Sequence, residues 1–180
     1  MRHPYQKLQP KRLWLYYFIV LVLTGLSGAY LAAGGLILGT DAAPLGIISY
    51  ELCGTVDGCR AILDSWNDEA RVAARNNLIW DFPFLLLYSS TLALGVVGMG
   101  RRMHKLRWRM ARFAPAMAWA AWIAAVLDSI ENIALWTMLA SGPGVVSAGL
   151  AWICAAIKFL LLGVAIPYFF IGFATFYRRA

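Results

Sequence analysis

Four stretches of the chain are predominantly apolar, and more polar segments separate them. They run approximately over residues 13–38, 78–99, 113–139 and 145–176. A helix needs roughly 20 residues to cross the hydrocarbon core of a bilayer, so each stretch is long enough to span one. The sequence lacks the alternation of apolar and polar positions that marks the strands of a membrane barrel. The pattern predicts an all-α integral membrane protein, built as a four-transmembrane-helix bundle.

The segment 39–77, between the first two stretches, is more polar than its neighbours. Thr55 is placed to cap a short helix whose apolar residues fall on one side. Asp68 is placed to begin a second helix that runs directly into the second stretch. We therefore expect a single membrane domain over residues 1–180, with a short helical external loop between spans one and two.

The composition agrees with a membrane protein and argues against a soluble one. Hydrophobic residues make up 61% of the 180-residue chain, charged residues make up 14%, and the mean hydropathy is +0.65. The formal net charge of +7 would suit nucleic-acid binding, but the basic residues concentrate beside the predicted spans. Three basic segments lack Asp and Glu entirely; they contain Arg2, Lys7, Lys11 and Arg12, then Arg101, Arg102, Lys105, Arg107, Arg109 and Arg112, and finally Arg178 and Arg179.

The positive-inside rule assigns these basic segments to the cytoplasmic side and the acidic segment 39–77 to the outside. We expect a multi-pass protein of the bacterial inner (cytoplasmic) membrane, in contact with membrane lipids, with both termini cytoplasmic and no nucleic-acid partner. Orientation explains the run from Arg101 to Arg112 most simply, and a role in binding anionic lipid stays open. A cleaved signal peptide is disfavoured, because the first apolar run exceeds the roughly 7–15 residues of a signal core.

Two of the three cysteines, Cys53 and Cys59, lie in the external segment with Gly54 and Gly58 between them. A bent segment would bring them close enough for a disulfide in an oxidising compartment. In a continuous helix the two thiols would point about 120° apart and could not be bridged. The sequence leaves both arrangements open.

The third stretch contains the residues that point most directly to a function. Asp128, Glu131 and Asn132 interrupt its apolar sequence at positions i, i+3 and i+4, so they project from one face of a helix. The fourth stretch carries Lys158, and the second carries Asp81. Ionisable residues inside a span are costly and mark functional sites by default. We therefore predict a small intramembrane ionic cluster.

The depth of these residues follows from counting along the helices. The short turn Ser141–Gly144 makes spans three and four antiparallel neighbours. At the helical rise of about 1.5 Å per residue, Asp128 and Lys158 reach matching depths near the middle of the bilayer. We predict that these two residues meet, with Glu131 and Asn132 one turn closer to the outside.

Further residues are candidates for the same site. Asp81 is interpreted either as an ordinary carboxylate at the N-terminus of span two or as a member of the site, nearer to the outer rim. Pro83 lies near the same predicted helix start, where proline costs little. Residues predicted to line a ligand site, besides Asn132 and Asp81, are Glu51 and Trp66, which would close it from above, and Tyr88 and Trp136, which would form its walls.

Three carboxylates against one ammonium leave an excess of negative charge in a region of low dielectric constant. Added protons, a bound cation or water would compensate it. A spare proton would make Asp128, Glu131 and Lys158 a catalytic acid/base set. Alternatively, Lys158 pairs with Asp128 and only holds the helices in register. No cofactor and no metal site is expected, because the sequence offers no histidine near the cluster, no CxxC pair and no glycine-rich phosphate loop.

Several short motifs, taken in order, resemble a group of uncharacterised bacterial four-span membrane proteins. The motifs are Glu51-Leu52, Ile62-Leu63 with Trp66, Asp81-Phe82 with Phe84 and Tyr88, Leu127-Asp128 with Glu131-Asn132, and Lys158-Phe159. The most specific of them is Asp-x-x-Glu-Asn followed by a lysine in the next span. The resemblance covers most of the chain beyond span one. It implies the four-helix architecture and the choice of site residues, but no particular reaction.

Three functions fit this sequence. The first is a membrane protein whose buried carboxylate, Asn and Lys site binds a small apolar or cationic amphiphile, either only binding it or also acting on it as a membrane-embedded enzyme. The second is proton- or cation-coupled transport by a homodimer. The third is a structural or assembly subunit. Ordered binding of a ligand beside Glu131 would favour the first, and a continuous water-filled path would favour the second.

Overall fold

The computed structural model describes residues 3–175, and all regular structure in this range is helical. The α-helices are α1 (Pro10–Gly35), α2 (Ile47–Glu51), α3 (Val56–Ser65), α4 (Asp68–Lys105), α5 (Ala114–Ser141) and α6 (Val145–Ala174). Short 3-10 helices cover Pro4–Lys7, Leu36–Leu38 and Arg109–Phe113. As predicted, four helices are long and apolar enough to cross a membrane, namely α1, α4, α5 and α6. Arg2, Arg178 and Arg179 lie outside the described residues.

Helix α4 begins at Asp68, which confirms that this helix runs directly into the second apolar stretch. Its first turn is stabilised by the Asn67 side chain, which accepts a hydrogen bond from the backbone N–H of Ala70 at 2.8 Å. Because the helix starts ten residues earlier than residue 78, the prediction that Pro83 and Asp81 lie near a helix start is wrong. Both lie inside α4, so Asp81 gains nothing from the helix N-terminus and Pro83 removes one backbone hydrogen bond.

The chain divides into two compact units. Unit 1 comprises residues 1–24, 86–125 and 159–180, and unit 2 comprises residues 25–85 and 126–158.

Unit 1 has an apolar core that depends on small residues in α4 and α5. A Cβ on Gly100 would overlap the side chain of Ala114, and a Cβ on Gly95 would lie 2.7 Å from the Phe169 ring. These glycines permit a closer approach than any larger residue would. The N-terminal segment joins this core through His3, which is fully buried. Burial lowers the pKa of His3 below its ordinary value.

Unit 2 contains the segment predicted to be external, and its core is built around two aromatic side chains. Tyr50 is fully buried, and its hydroxyl donates a hydrogen bond to the carbonyl of Leu135 at 3.1 Å. The Trp66 indole donates to the carbonyl of Leu38 at 3.0 Å. Burial raises the pKa of Tyr50, with the charge of Arg71 acting in the opposite direction. The first bond ties α2 to α5, and the second ties the end of α3 to the 3-10 helix Leu36–Leu38.

The path between α2 and α3 is bent, and the bend decides the question of the disulfide. Thr55 caps α3 by accepting a hydrogen bond from the N–H of Gly58 at 3.1 Å, as predicted. Cys53 therefore lies before the helix, and Gly54 turns the chain with φ +67°. Cys53 and Cys59 form a disulfide with a Cα–Cα distance of 5.0 Å. The continuous-helix alternative is wrong.

Candidate functional site

The Lys158 ammonium is surrounded by carboxylates in unit 2. Its Nζ lies 2.6 Å from Oδ1 of Asp128, 3.0 Å from Oε1 of Glu131 and 3.0 Å from Oε2 of Glu51. An ammonium has three N–H donors, and these three bonds use all of them. The second Glu131 oxygen, Oε2, lies 2.9 Å from Nζ without hydrogen-bonding geometry. The prediction that Asp128 and Lys158 meet is confirmed.

Helical periodicity brings the α5 residues to this point. Asp128, Glu131 and Asn132 share one buried face of α5 with Leu135 and Met138. The apolar members of this face pack into the core of unit 2. The polar members are therefore carried into the same buried environment and must find partners there.

Lys158 reaches the cluster from a face of α6 that consists of small residues. Ala148, Ala151 and Ala155 precede it on the buried side of the helix and are 0–1% exposed. Their short side chains let α6 approach its neighbours closely. The helices are joined by residues 142–144, where Gly142 adopts φ +86°. This tight turn was predicted, and it sets the register of α5 against α6.

Glu51 was predicted to close the site from above, whereas the structure makes it a direct partner of the lysine. It is the last residue of α2, a helix of only five residues. Its side chain is 13% exposed, against 8% for Asp128 and 0% for Glu131. Burial raises the pKa of the Glu51 carboxyl above its ordinary value, and the positive charge of Lys158 opposes this rise. The sequence holds no periodic signal for this contact.

Asp81 forms a second polar pair beside the cluster. Its Oδ2 accepts a hydrogen bond from Nδ2 of Asn132 at 2.5 Å. Asn132 is only 2% exposed. Because Asp81 lies in α4 and Asn132 lies in α5, this hydrogen bond connects the two helices. Of the two predicted interpretations, the structure supports membership of the polar cluster. The cluster therefore contains four carboxyl groups and one ammonium.

An open pocket of about 430 Å³ lies against this polar cluster. Glu51, Asp81 and Asn132 line it, together with Asn77, whose side chain donates to the carbonyl of Leu31 at 3.0 Å. The remaining lining is largely apolar and includes Leu31, Leu36, Leu45, Ile47, Ile48, Leu78 and Phe84. Asn77 was missed by the sequence analysis, because a polar residue at the edge of a predicted span carries no distinctive pattern.

The aromatic residues predicted to line the site take other positions. Trp66 is buried in the core of unit 2, with its ring centroid 5.2 Å from that of Tyr50. Trp136 is 38% exposed, and the Arg75 guanidinium lies 6.0 Å from its ring centroid. Tyr88 belongs to unit 1. None of Trp66, Trp136 and Tyr88 lines the 430 Å³ pocket, so its walls are mainly aliphatic.

Within residues 3–175, no three His, Cys, Asp or Glu side chains are grouped in a way that could hold a metal ion. Comparison of the chain with family models, with curated proteins and with solved structures finds no match. The geometry and charge of this site are therefore the basis for inferring a function.

Proposed function

We propose that the protein is a small integral membrane protein that binds a cationic amphiphile, a molecule with an apolar body and one positive charge. One observation carries the proposal. A single pocket is lined by two carboxylates of an acidic cluster, Glu51 and Asp81, while most of its remaining wall is apolar. Such a pocket matches a ligand with a positive group at one end, beside the carboxylates, and an apolar body at the other, against the apolar wall.

The charge of the cluster supports a cationic ligand. Glu51, Asp128 and Glu131 share one ammonium, and Asp81 is hydrogen-bonded to the neutral amide of Asn132. If all four carboxyl groups were ionised, the cluster would carry an excess of three negative charges. Such an excess is unfavourable in a buried site unless protons or a cation compensate it. A positive group placed between Glu51 and Asp81 would compensate one of these three charges, and bound protons would compensate the other two.

The size and the lining of the pocket support an amphiphile rather than a bare ion. A volume of about 430 Å³ falls within the roughly 300–1,000 Å³ of typical small-molecule sites. Leu31, Leu36 and Phe84 offer contact surface to an alkyl chain or a ring. A desolvated inorganic cation would leave this apolar surface unused.

The membrane setting is part of the proposal. Large apolar side chains are exposed along the long helices, for example Val22 at 61%, Ile133 at 60% and Leu160 at 68%. Surfaces of this kind are stable in contact with lipid rather than with water.

All nine Asp and Glu lie in unit 2, and twelve of the sixteen Lys and Arg lie in unit 1. This separation supports an inner-membrane orientation with cytoplasmic termini, which reporter fusions at residue 143 and at the C-terminus would test.

Ligand binding is tested with the protein purified in a neutral maltoside detergent. The probes are decyltrimethylammonium and, as a match of opposite charge, decyl sulfate. The midpoint of thermal unfolding is followed by tryptophan fluorescence, and calorimetry measures affinity. A ligand present at about 100 times its Kd stabilises the folded state by about 2.7 kcal/mol. We expect the cationic probe to raise the midpoint and the anionic probe to leave it unchanged.

The decisive variant is Asp81→Asn, which keeps the shape of the side chain and removes its charge. Its matched control is Asp64→Asn, because Asp64 is an exposed acid of α3. We expect Asp81→Asn to weaken binding of the cationic probe and Asp64→Asn to bind like the parent. Equal stabilisation by both probes, or no effect of Asp81→Asn, would refute the proposal. In vesicles that contain the protein, the probe could instead drive protons or cations across the membrane. If this movement stopped in Asp81→Asn, the proposed function would change from ligand binding to transport.

A further inference from the structure

Unit 1 has a charge composition opposite to that of the cluster. Its segments, 1–24, 86–125 and 159–180, contain no Asp or Glu, although they hold twelve Lys and Arg. The basic side chains of this unit therefore have no carboxylate within their own unit to pair with. Their partners are instead backbone carbonyls, hydroxyl groups, aromatic rings, water or anions; Nε of Arg102, for example, donates to the hydroxyl of Thr175 at 3.1 Å.

Several of these basic residues gather at a pocket. The pocket has a volume of about 740 Å³ and lies where the end of α4 meets the 3-10 helix Arg109–Phe113. Its basic lining residues are Arg101, His104, Lys105, Arg109 and Arg112, and its other lining residues are Gln6, Val97, Gly100, Trp108, Ala111 and Ala114. No carboxyl group among residues 3–175 lines it.

Arg101 is held rigidly at this pocket. Its Nη2 donates hydrogen bonds to the carbonyls of Gln6 at 2.8 Å and Leu8 at 2.7 Å. Its Nη1 is buried and has no hydrogen-bond partner among the described residues. A buried guanidinium nitrogen without an acceptor is costly, because each N–H loses its hydration without replacement. Arg101 lines the pocket, so an anion bound there would lie beside its guanidinium group and offset its charge.

The other basic lining residues remain available to a ligand. His104, Lys105, Arg109 and Arg112 are exposed, and none of them forms an ion pair within residues 3–175. Arg112 lies over the Phe113 ring at 4.7 Å. A role in setting the orientation of the chain requires only that positive charges be present. It does not require that they line one pocket around a buried, unpartnered guanidinium nitrogen.

We propose that this pocket binds the phosphate group of an anionic phospholipid. Arginine forms charge-assisted, bidentate hydrogen bonds with phosphate oxygens, and lysine adds a point charge. The pocket is much larger than a phosphate ion, and Val97, Ala111 and Ala114 provide apolar contacts for the glycerol and upper acyl carbons. Basic pockets at the cytoplasmic ends of membrane helices are suited to such headgroups. The proposal is independent of the proposed cationic ligand.

The test uses native mass spectrometry and fluorescence titration of the full chain in neutral detergent. Short-chain phosphatidylglycerol is compared with phosphatidylcholine of the same acyl chains, and inorganic phosphate is added as a competitor. The variant is Arg109→Gln with Arg112→Gln. Its matched control is Lys11→Gln with Arg12→Gln, which removes the same charge from exposed residues of unit 1 that do not line the pocket.

We expect the parent to prefer phosphatidylglycerol to phosphatidylcholine. Since a basic residue near an anionic surface contributes about fivefold in affinity, the pocket variant should bind about 25-fold more weakly. The control variant should keep most of the affinity. A conservative variant, Arg109→Lys with Arg112→Lys, keeps the charge and should bind more tightly than the Gln variant.

Several results would overturn the proposal. Equal affinity of the parent for the two lipids would do so without any variant. An equal loss in the pocket and control variants would mean that binding follows overall charge rather than this pocket. Tight binding of inorganic phosphate with no preference among lipids would assign the pocket to a soluble phosphate compound. Binding of a single-stranded oligonucleotide that depends on Arg109 and Arg112, without lipid binding, would assign it to nucleic acid.

Discussion

Replacing Lys158 with Met should destabilise the protein strongly, because it leaves three buried carboxyl groups without their shared partner. The ammonium donates to Glu51, Asp128 and Glu131 at 2.6–3.0 Å. The side chains of these acids are 13%, 8% and 0% exposed, so water cannot replace the lost bonds fully. Removing one partner of a buried ion pair costs about 3–5 kcal/mol. At about 2–4 °C per kcal/mol for a chain of this length, the unfolding midpoint should fall by roughly 10 °C.

The assay is thermal unfolding in neutral detergent, followed by the fluorescence of the eight tryptophans. Lys11→Met is the matched control, because Lys11 is an exposed lysine at the start of α1, and its midpoint should change little. Adding Asp128→Asn to Lys158→Met removes one of the unpaired charges and should recover part of the loss. A midpoint for Lys158→Met equal to that of the parent at neutral pH would refute the pairing of Lys158.

The same variant has a predictable pH dependence through Glu51. Burial raises the pKa of Glu51, and the charge of Lys158 lowers it, so removing Lys158 raises this pKa further. The protonated form of Glu51 is then the form favoured by folding. Its contribution to stability is complete below the unfolded pKa of about 4.3 and is lost as pH rises through the folded pKa. As pH rises above about 4.3, Lys158→Met should therefore lose more stability than the parent.

Three further substitutions test the packing and the site. Replacing both Cys53 and Cys59 with Ser removes the disulfide and should lower the free energy of unfolding by about 2 kcal/mol. Alkylation of the denatured parent without reductant should modify one thiol, because the other two cysteines are bonded to each other. Gly100→Ala should cost about 1–3 kcal/mol in thermal unfolding, because its Cβ overlaps Ala114; an unchanged midpoint would contradict this packing. Glu131→Gln keeps an acceptor for the buried ammonium, so it should fold like the parent but bind the cationic probe more weakly in calorimetry.

The helices and the meeting of Asp128 with Lys158 were predictable because they depend on local rules. The length of each apolar stretch sets a helix, and a spacing of three or four residues sets a face. A turn of three residues between α5 and α6 leaves little freedom in how the two helices align. Counting residues from that turn was therefore sufficient to place the pair.

The contact between Glu51 and Lys158 was not predictable in the same way. It depends on the path of a non-periodic segment, in which Gly46 and Gly54 adopt φ +58° and +67°. Glycine permits such conformations but does not indicate which direction the chain takes after them. The burial of His3 was missed for a similar reason, since a polar residue in a basic N-terminal segment carries no signal for a buried cap.

The net charge of +7 describes neither proposed site, because one is lined by carboxylates and the other by basic residues. Ligand binding at the two sites should respond differently to salt. The carboxylates beside the 430 Å³ pocket are largely buried, whereas His104, Lys105, Arg109 and Arg112 are exposed. Salt screens exposed charges strongly and buried charges much less, with a Debye length of about 10 Å at 0.1 M and about 3 Å at 1 M. Raising the salt concentration across this range should weaken phosphatidylglycerol binding much more than decyltrimethylammonium binding. If both affinities fell equally, the cationic probe would be bound by exposed acids, and the buried cluster would lose its assigned role.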